Sequence, residues 1–154
     1  MSKLVLDVLK KGREIISSPD KWCREHYAVD AEGRDTPFQF DEACKFCILG
    51  SLYRAYKEMN NHIGYHPVLA ARMEMERRMR KFGLEYTNDD VSHFNDDPRT
   101  DHAQMLRFFD AVIYEVEKQN AAELCTTPTS RGEPFEEDAA KDQEQGKLDE
   151  GQLG

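Results

Sequence analysis

Residues 101–124, DHAQMLRFFDAVIYEVEKQNAAEL, decide the fold class. Met105, Phe109, Val112 and Val116 recur at the three-to-four spacing of one helical face, and Leu106, Phe108 and Ile113 flank it. Asp101 stands before that stripe and Gln104 three residues later, the pattern of a capping box whose side chains satisfy orphaned N–H groups. A helix over 101–124 is predicted. The stretch upstream, Val91-Ser92-His93-Phe94-Asn95-Asp96-Asp97-Pro98, reads as a polar turn locked by Pro98. Such a turn brings Asn95, Asp96, Asp97, His93 and His102 toward the N-terminus of the helix.

The same spacing recurs elsewhere. Val5, Val8, Leu9, Ile15 and Ile16 predict a first helix over 3–17, ended by Ser18-Pro19, because a residue before proline is pushed out of the helical region. Gly12 weakens that helix unless a close neighbour requires it. Phe46, Leu49, Leu52, Tyr53 and Tyr56 predict a second helix over 41–59, with Gly50 marking a tight helix crossing. A third is predicted over 67–82, with Pro67 at its first position, Leu69, Met73, Met79 and Phe82 inward, and Gly83 past its end. Between the first two helices, Trp22, Tyr27, Phe38 and Phe40 surround the turn signal of residues 30–35 and should pack back onto the core. The class is all-α: a single small domain of about four helices with a long aromatic loop.

Charge divides the chain. Of the net −9, residues 125–154 carry eight acids against Arg131, Lys141 and Lys147, with only Phe135, Leu148 and Leu153 as sizeable apolar side chains. A segment of that composition does not bury enough surface to offset its ordering entropy. The division expected is a helical domain over 1–124 and an acidic flexible tail over 125–154. Neither part is basic overall, and the arginines of residues 72–81 are interleaved with glutamates, so direct nucleic-acid binding is not expected. Residues 1–9 lack the long apolar run of a secretory signal, and no stretch approaches the ~20 apolar residues of a membrane span, so a cytoplasmic protein off the membrane is expected.

Four cysteines without a secretory signal do not suggest a disulfide framework. Cys23-x-x-His26 and Cys44-x-x-Cys47 are two three-apart pairs, the count and chemistry of a tetrahedral zinc site. The competing reading, buried reduced thiols, follows from placing Cys44 and Cys47 inside the second helix. His62 and His66, with His93 or His102, offer a second possible metal cluster, and the Asn95-Asp96-Asp97 corner could present hard oxygen ligands or a base, with Asp30 and Asp35 as possible neighbours. No nucleotide-binding glycine loop or nucleophile elbow is present.

Three blocks of the chain resemble a bacterial and phage helical domain family of unknown function. They are Trp22-Cys23 with Tyr27-Ala28-x-Asp30-x-x-Gly33, then Phe46-Cys47-Ile48-Leu49-Gly50-Ser51-Leu52-Tyr53-Arg54, then Phe94-Asn95-Asp96 with His102-Ala103-Gln104-Met105-Leu106 and Phe109-Asp110-Ala111-Val112-Ile113. The resemblance spans residues 4–118. It implies no activity, speaks against a metal at His26 or Cys44, and raises Asn95, Asp96 and His102 as a shared feature.

The function expected is a non-enzymatic protein-interaction module, in the manner of a phage or mobile-element accessory protein, whose acidic face or tail engages a basic protein partner. Mimicry of nucleic-acid charge is a variant of it. The alternative is a small-molecule or metal-dependent enzyme using Asn95, Asp96 and His102 under a lid of Trp22 and Tyr27. The ligand-site candidates are therefore Trp22, Tyr27, Asn95, Asp96 and His102, and the zinc candidates Cys23, His26, Cys44 and Cys47.

Overall fold

The computed structural model describes residues 3–62, 64–82 and 90–126. The predicted tail from residue 127 on, with its anchors Phe135, Leu148 and Leu153, and Gly83 lie outside the described residues, while Cys125 and Thr126 of that tail form the end and C-cap of the last helix. Those described form five α-helices and one two-stranded sheet: α1 Lys3–Ile15, β1 Ala28–Val29, β2 Lys45–Phe46, α2 Ile48–Asn60, α3 Tyr65–Met79, α4 Val91–Asp96 and α5 His102–Cys125, with 3₁₀ turns at Pro19–Lys21 and Arg80–Phe82. Four principal helices carry the fold, and the class is all-α. No described helix is long and apolar enough to cross a membrane.

α1 lies at the centre, packed on α2, α3 and α5. Its stripe of Val5, Val8 and Leu9, together with Ile16, is fully enclosed. Gly12 sits at the α1–α2 contact, where an added Cβ would stand 2.8 Å from Leu52 Cδ2. α5 follows its sequence pattern closely: Met105, Phe109, Val112 and Val116 are buried, and the Asp101–Gln104 capping box is formed. Arg13 clasps Asp110 with two hydrogen bonds of 2.7 and 3.1 Å, tying α1 to α5 at the surface.

Three expectations need correction. The second helix begins at Ile48, not at 41. Lys45 and Phe46 instead pair antiparallel with Val29 and Ala28, and Cys47 is the N-cap, its Sγ accepting from the Gly50 amide at 3.3 Å. Sheet pairing across the loop thus overrides a local apolar spacing that a helix would also have explained. The third helix buries Val68, Ala71, Met75 and Met79, while Leu69 and Met73 are 50% and 58% exposed and Phe82 is also exposed. Of the four residues expected inward only Met79 is buried, and the stripe that reaches the core runs instead through Val68, Ala71 and Met75. The 91–98 stretch is a short helix rather than a turn. Asp90 caps the start of α4 through the Ser92 amide at 2.8 Å, and Asp97 ends it before Pro98.

Gly50 also has a different cause from the one expected. It does not mark a helix crossing; a Cβ there would overlap the carbonyl oxygen of Tyr27, so only glycine lets the aromatic loop cross the first turn of α2. The same carbonyl accepts the Cys47 amide at 3.2 Å. The loop is therefore stitched to the start of α2, and that seam creates the candidate site.

Candidate functional site

Asn95, at the buried end of α4, organises the corner. Its Oδ1 accepts from the Trp22 indole Nε1 at 2.9 Å and from the Ile48 amide at 3.0 Å. Its Nδ2 donates to the Cys23 carbonyl at 3.2 Å and to Asp96 Oδ1 at 2.7 Å. One side chain thereby fixes the aromatic loop, caps the first amide of α2 from outside that helix, and orients the adjacent carboxylate. Asp96 Oδ1 also accepts the Glu25 amide at 2.8 Å. Glu25 has a left-handed backbone, φ 66°, so this bond stabilises a conformation that a non-glycine residue enters at a cost.

Beside this corner lies a cleft of about 150 Å³. Cys47 and Leu49 of the α2 start, Glu25, His26 and Tyr27 of the loop, and Ser92, Asn95 and Asp96 of α4 line it. Burial, reinforced by the Asp96 charge, pushes the thiols away from reactivity: Cys23 up to about 12 and Cys47 up to about 11. At neutral pH both are protonated and so are poor nucleophiles.

The structure therefore divides the expected ligand residues. Tyr27, Asn95 and Asp96 meet at the cleft. Trp22 and His102 do not line it; they stand behind it with ring centroids 5.9 Å apart, and His102 Nε2 bonds the Ile16 carbonyl at 2.7 Å. That bond satisfies a carbonyl where α1 ends. The Arg24 guanidinium covers the Trp22 ring at 4.7 Å. Trp22 is thus held in place on its ring and at its indole nitrogen, and is not a lid.

Of the zinc candidates, Cys47 caps α2 and Cys23 Sγ faces the His26 carbonyl at 3.5 Å. His26 Nδ1 lies 3.3 Å from Asp35, and the exposed Cys44 faces the Val29 carbonyl at 3.6 Å. Among the described residues no three His, Cys, Asp or Glu side chains are grouped to hold a metal ion, whether at these positions or at His62, His66, His93 and His102. Asp30 does not join the corner either. It closes its own turn, accepting the Glu32 and Arg34 amides at 3.0 and 2.9 Å and Arg34 Nε at 2.8 Å. Asp97 likewise is taken up by Arg99.

Sequence reasoning missed the surface that continues from the cleft. Tyr53 of α2 packs edge-on to Tyr27 at 6.0 Å and to Tyr65 at 5.8 Å, and stacks on Phe38 at 4.9 Å. Tyr27 is 50% exposed and Tyr65 66% exposed. Four rings, two from the aromatic loop and two from helices, form one patch in which Tyr27 and Tyr65 are exposed and Phe38 and Tyr53 half-buried. Its members are too far apart in sequence for any periodicity to signal it, and Tyr53 read simply as core. The missed α4 had one available signal, Asp90 placed two residues before Ser92 as an N-cap.

The model of a family of unknown function (DUF6197) matches residues 1–115, and the chain belongs to that family. No curated protein and no solved structure matches it.

Proposed function

We propose that this protein is a non-enzymatic interaction module that receives a basic protein partner on the Tyr27–Phe38–Tyr53–Tyr65 face. The single observation behind this reading is the continuity of that exposed aromatic patch with a cleft edged by Glu25 and Asp96. Tyrosine supplies large, rigid contact area with a polar tip, and aromatic clusters at the centre of an interface contribute most of its affinity. The net charge of −9 favours fast encounter with a positively charged partner. The groups an enzyme would need are engaged in holding the fold: Asn95 has four hydrogen bonds, His102 secures the end of α1, and the two thiols beside the cleft are protonated.

Photo-cross-linking in the native host tests this. A benzoylphenylalanine at Tyr65 should trap one dominant basic protein, and Tyr27→Ser should weaken that capture. The same probe at the exposed Tyr114 of α5 should trap it far less. Equal capture from both positions, or none from Tyr65, would remove the reading. Raising the salt should slow association, since exposed charges are screened within about 8 Å at physiological ionic strength.

A further inference from the structure

We infer that the cleft between Tyr27 and Asp96 is the receptor for one arginine side chain of that basic partner. The inference deepens the interaction reading and rests on it for the partner, though not for the binding event. Three features of the cleft converge on a cation with an apolar stem. Leu49 and Cys47 give it a dry floor, since Leu49 is buried and the Cys47 thiol is protonated. Tyr27, half-exposed, lines it too, and an accessible tyrosine ring is a surface on which a planar guanidinium stacks. Asp96 and Glu25 line the same cleft and supply its negative charge.

Asp96 is already oriented for this role. Both of its protein donors, the Asn95 amide group and the Glu25 backbone N–H, bond the same oxygen, Oδ1. Its position is thus fixed by two neutral donors, and its negative charge is not cancelled by a salt bridge of its own. The cations nearby are otherwise placed. Arg72 is bound to Glu76 at 2.6 Å and Asp90 at 3.5 Å. Lys45 lies on β2, close enough to ease the Cys23 shift but outside the cleft lining. No lysine or arginine is among the described residues that line the opening, and the one histidine that lines it, His26, has its Nδ1 3.3 Å from Asp35. Arginine fits better than lysine because one flat group can meet Tyr27 and Asp96 together, while an ammonium satisfies only the charge.

The probe is N-acetyl-arginine amide, titrated into the full chain and followed by amide ¹H–¹⁵N shifts. Saturable changes are expected at Glu25, Tyr27 and Ser92. The same titration with N-acetyl-glutamine amide should be at least ten-fold weaker, and N-acetyl-lysine amide should fall between the two. Asp96→Asn should weaken the arginine response at least ten-fold. Glu25→Gln, which leaves every hydrogen bond of the corner in place, should weaken it by a smaller factor and guards against a merely misfolded Asp96 variant. An arginine response matched by glutamine, unchanged in both variants, or absent altogether overturns the inference. So does a stronger response at the same residues to magnesium chloride, which would make the cleft a metal site. Cross-linking at Tyr65 separates the two proposals: if it survives Asp96→Asn and Glu25→Gln undiminished, the arginine receptor fails and the interaction reading stands.

Discussion

Asn95 shows how much of this structure can depend on one amide. Asn95→Ala would strand the Trp22 indole N–H and the Ile48 amide together, and each buried unsatisfied donor costs about 1–3 kcal/mol. A loss of about 2–6 kcal/mol is therefore expected in denaturant unfolding, against about 1 kcal/mol for the exposed Arg13→Ala at the α1–α5 clasp. Similar losses for the two variants would mean Asn95 is not the organiser described. Asp30 makes a pH-dependent contribution at the same scale. The Arg34 amide first, then the Arg34 guanidinium and the Glu32 amide, hold its carboxyl below its ordinary value of 3.8. A depressed folded-state value means the stabilisation is fully present above 3.8 and is lost as pH falls from there through the lowered value. Asp30→Asn should accordingly be less stable than the parent at about pH 5, with the gap narrowing by about pH 2.5. A gap that is constant across that range would assign the turn's stability to something other than the charge.

At the scale of elements, the two glycines of the α2 surroundings make opposite predictions from the same substitution. At Gly12 the obstructing group is the Leu52 methyl, the flexible end of a side chain, and alanine recovers about 1 kcal/mol of helix propensity. Gly12→Ala should sit within about 1 kcal/mol of the parent. At Gly50 the obstruction is the Tyr27 backbone, itself bonded to Cys47, so Gly50→Ala should cost about 3 kcal/mol, the upper end of ordinary overpacking. Equal melting temperatures for the two variants would show that the loop yields freely. The same seam explains what could be read from the chain and what could not. α1 and α5 were legible because their caps and stripes are local: Pro19 follows one, and Asp101 with Gln104 opens the other. The start of α2 was not, since Cys44, Phe46 and Cys47 keep helical spacing while β1, fifteen or more residues earlier, takes Lys45 and Phe46 into a sheet. Of the candidate site, Tyr27, Asn95 and Asp96 were visible as residue types. Their arrangement was not, because it depends on the left-handed Glu25 and on which face of Gly50 the loop crosses.

Across the whole molecule, the cysteines report whether the loop, α2 and α4 open together or separately. Cys44 and Cys125 are exposed, while Cys23 and Cys47 sit where the aromatic loop meets α2. With thiols pushed to about 12 and about 11, Cys23 and Cys47 hold about two to three orders of magnitude less thiolate at pH 8 than an ordinary cysteine near 8.5. The thiolate is the reactive form, and the higher nucleophilicity that accompanies a higher value offsets only about half of that on a logarithmic scale. An aromatic disulfide reagent should therefore label two cysteines rapidly and two slowly. If the corner tied by Asn95 is one cooperative unit with the core, the slow pair should react together, at a rate that tracks global unfolding as denaturant is raised. Gly50→Ala, which pries the loop from α2, should accelerate the slow pair more than the fast one. Separate rates for Cys23 and Cys47 in dilute denaturant would show instead that the aromatic loop lifts by itself. In that event the cleft would form and dissolve on its own, and a partner's arginine would bind a site assembled only part of the time.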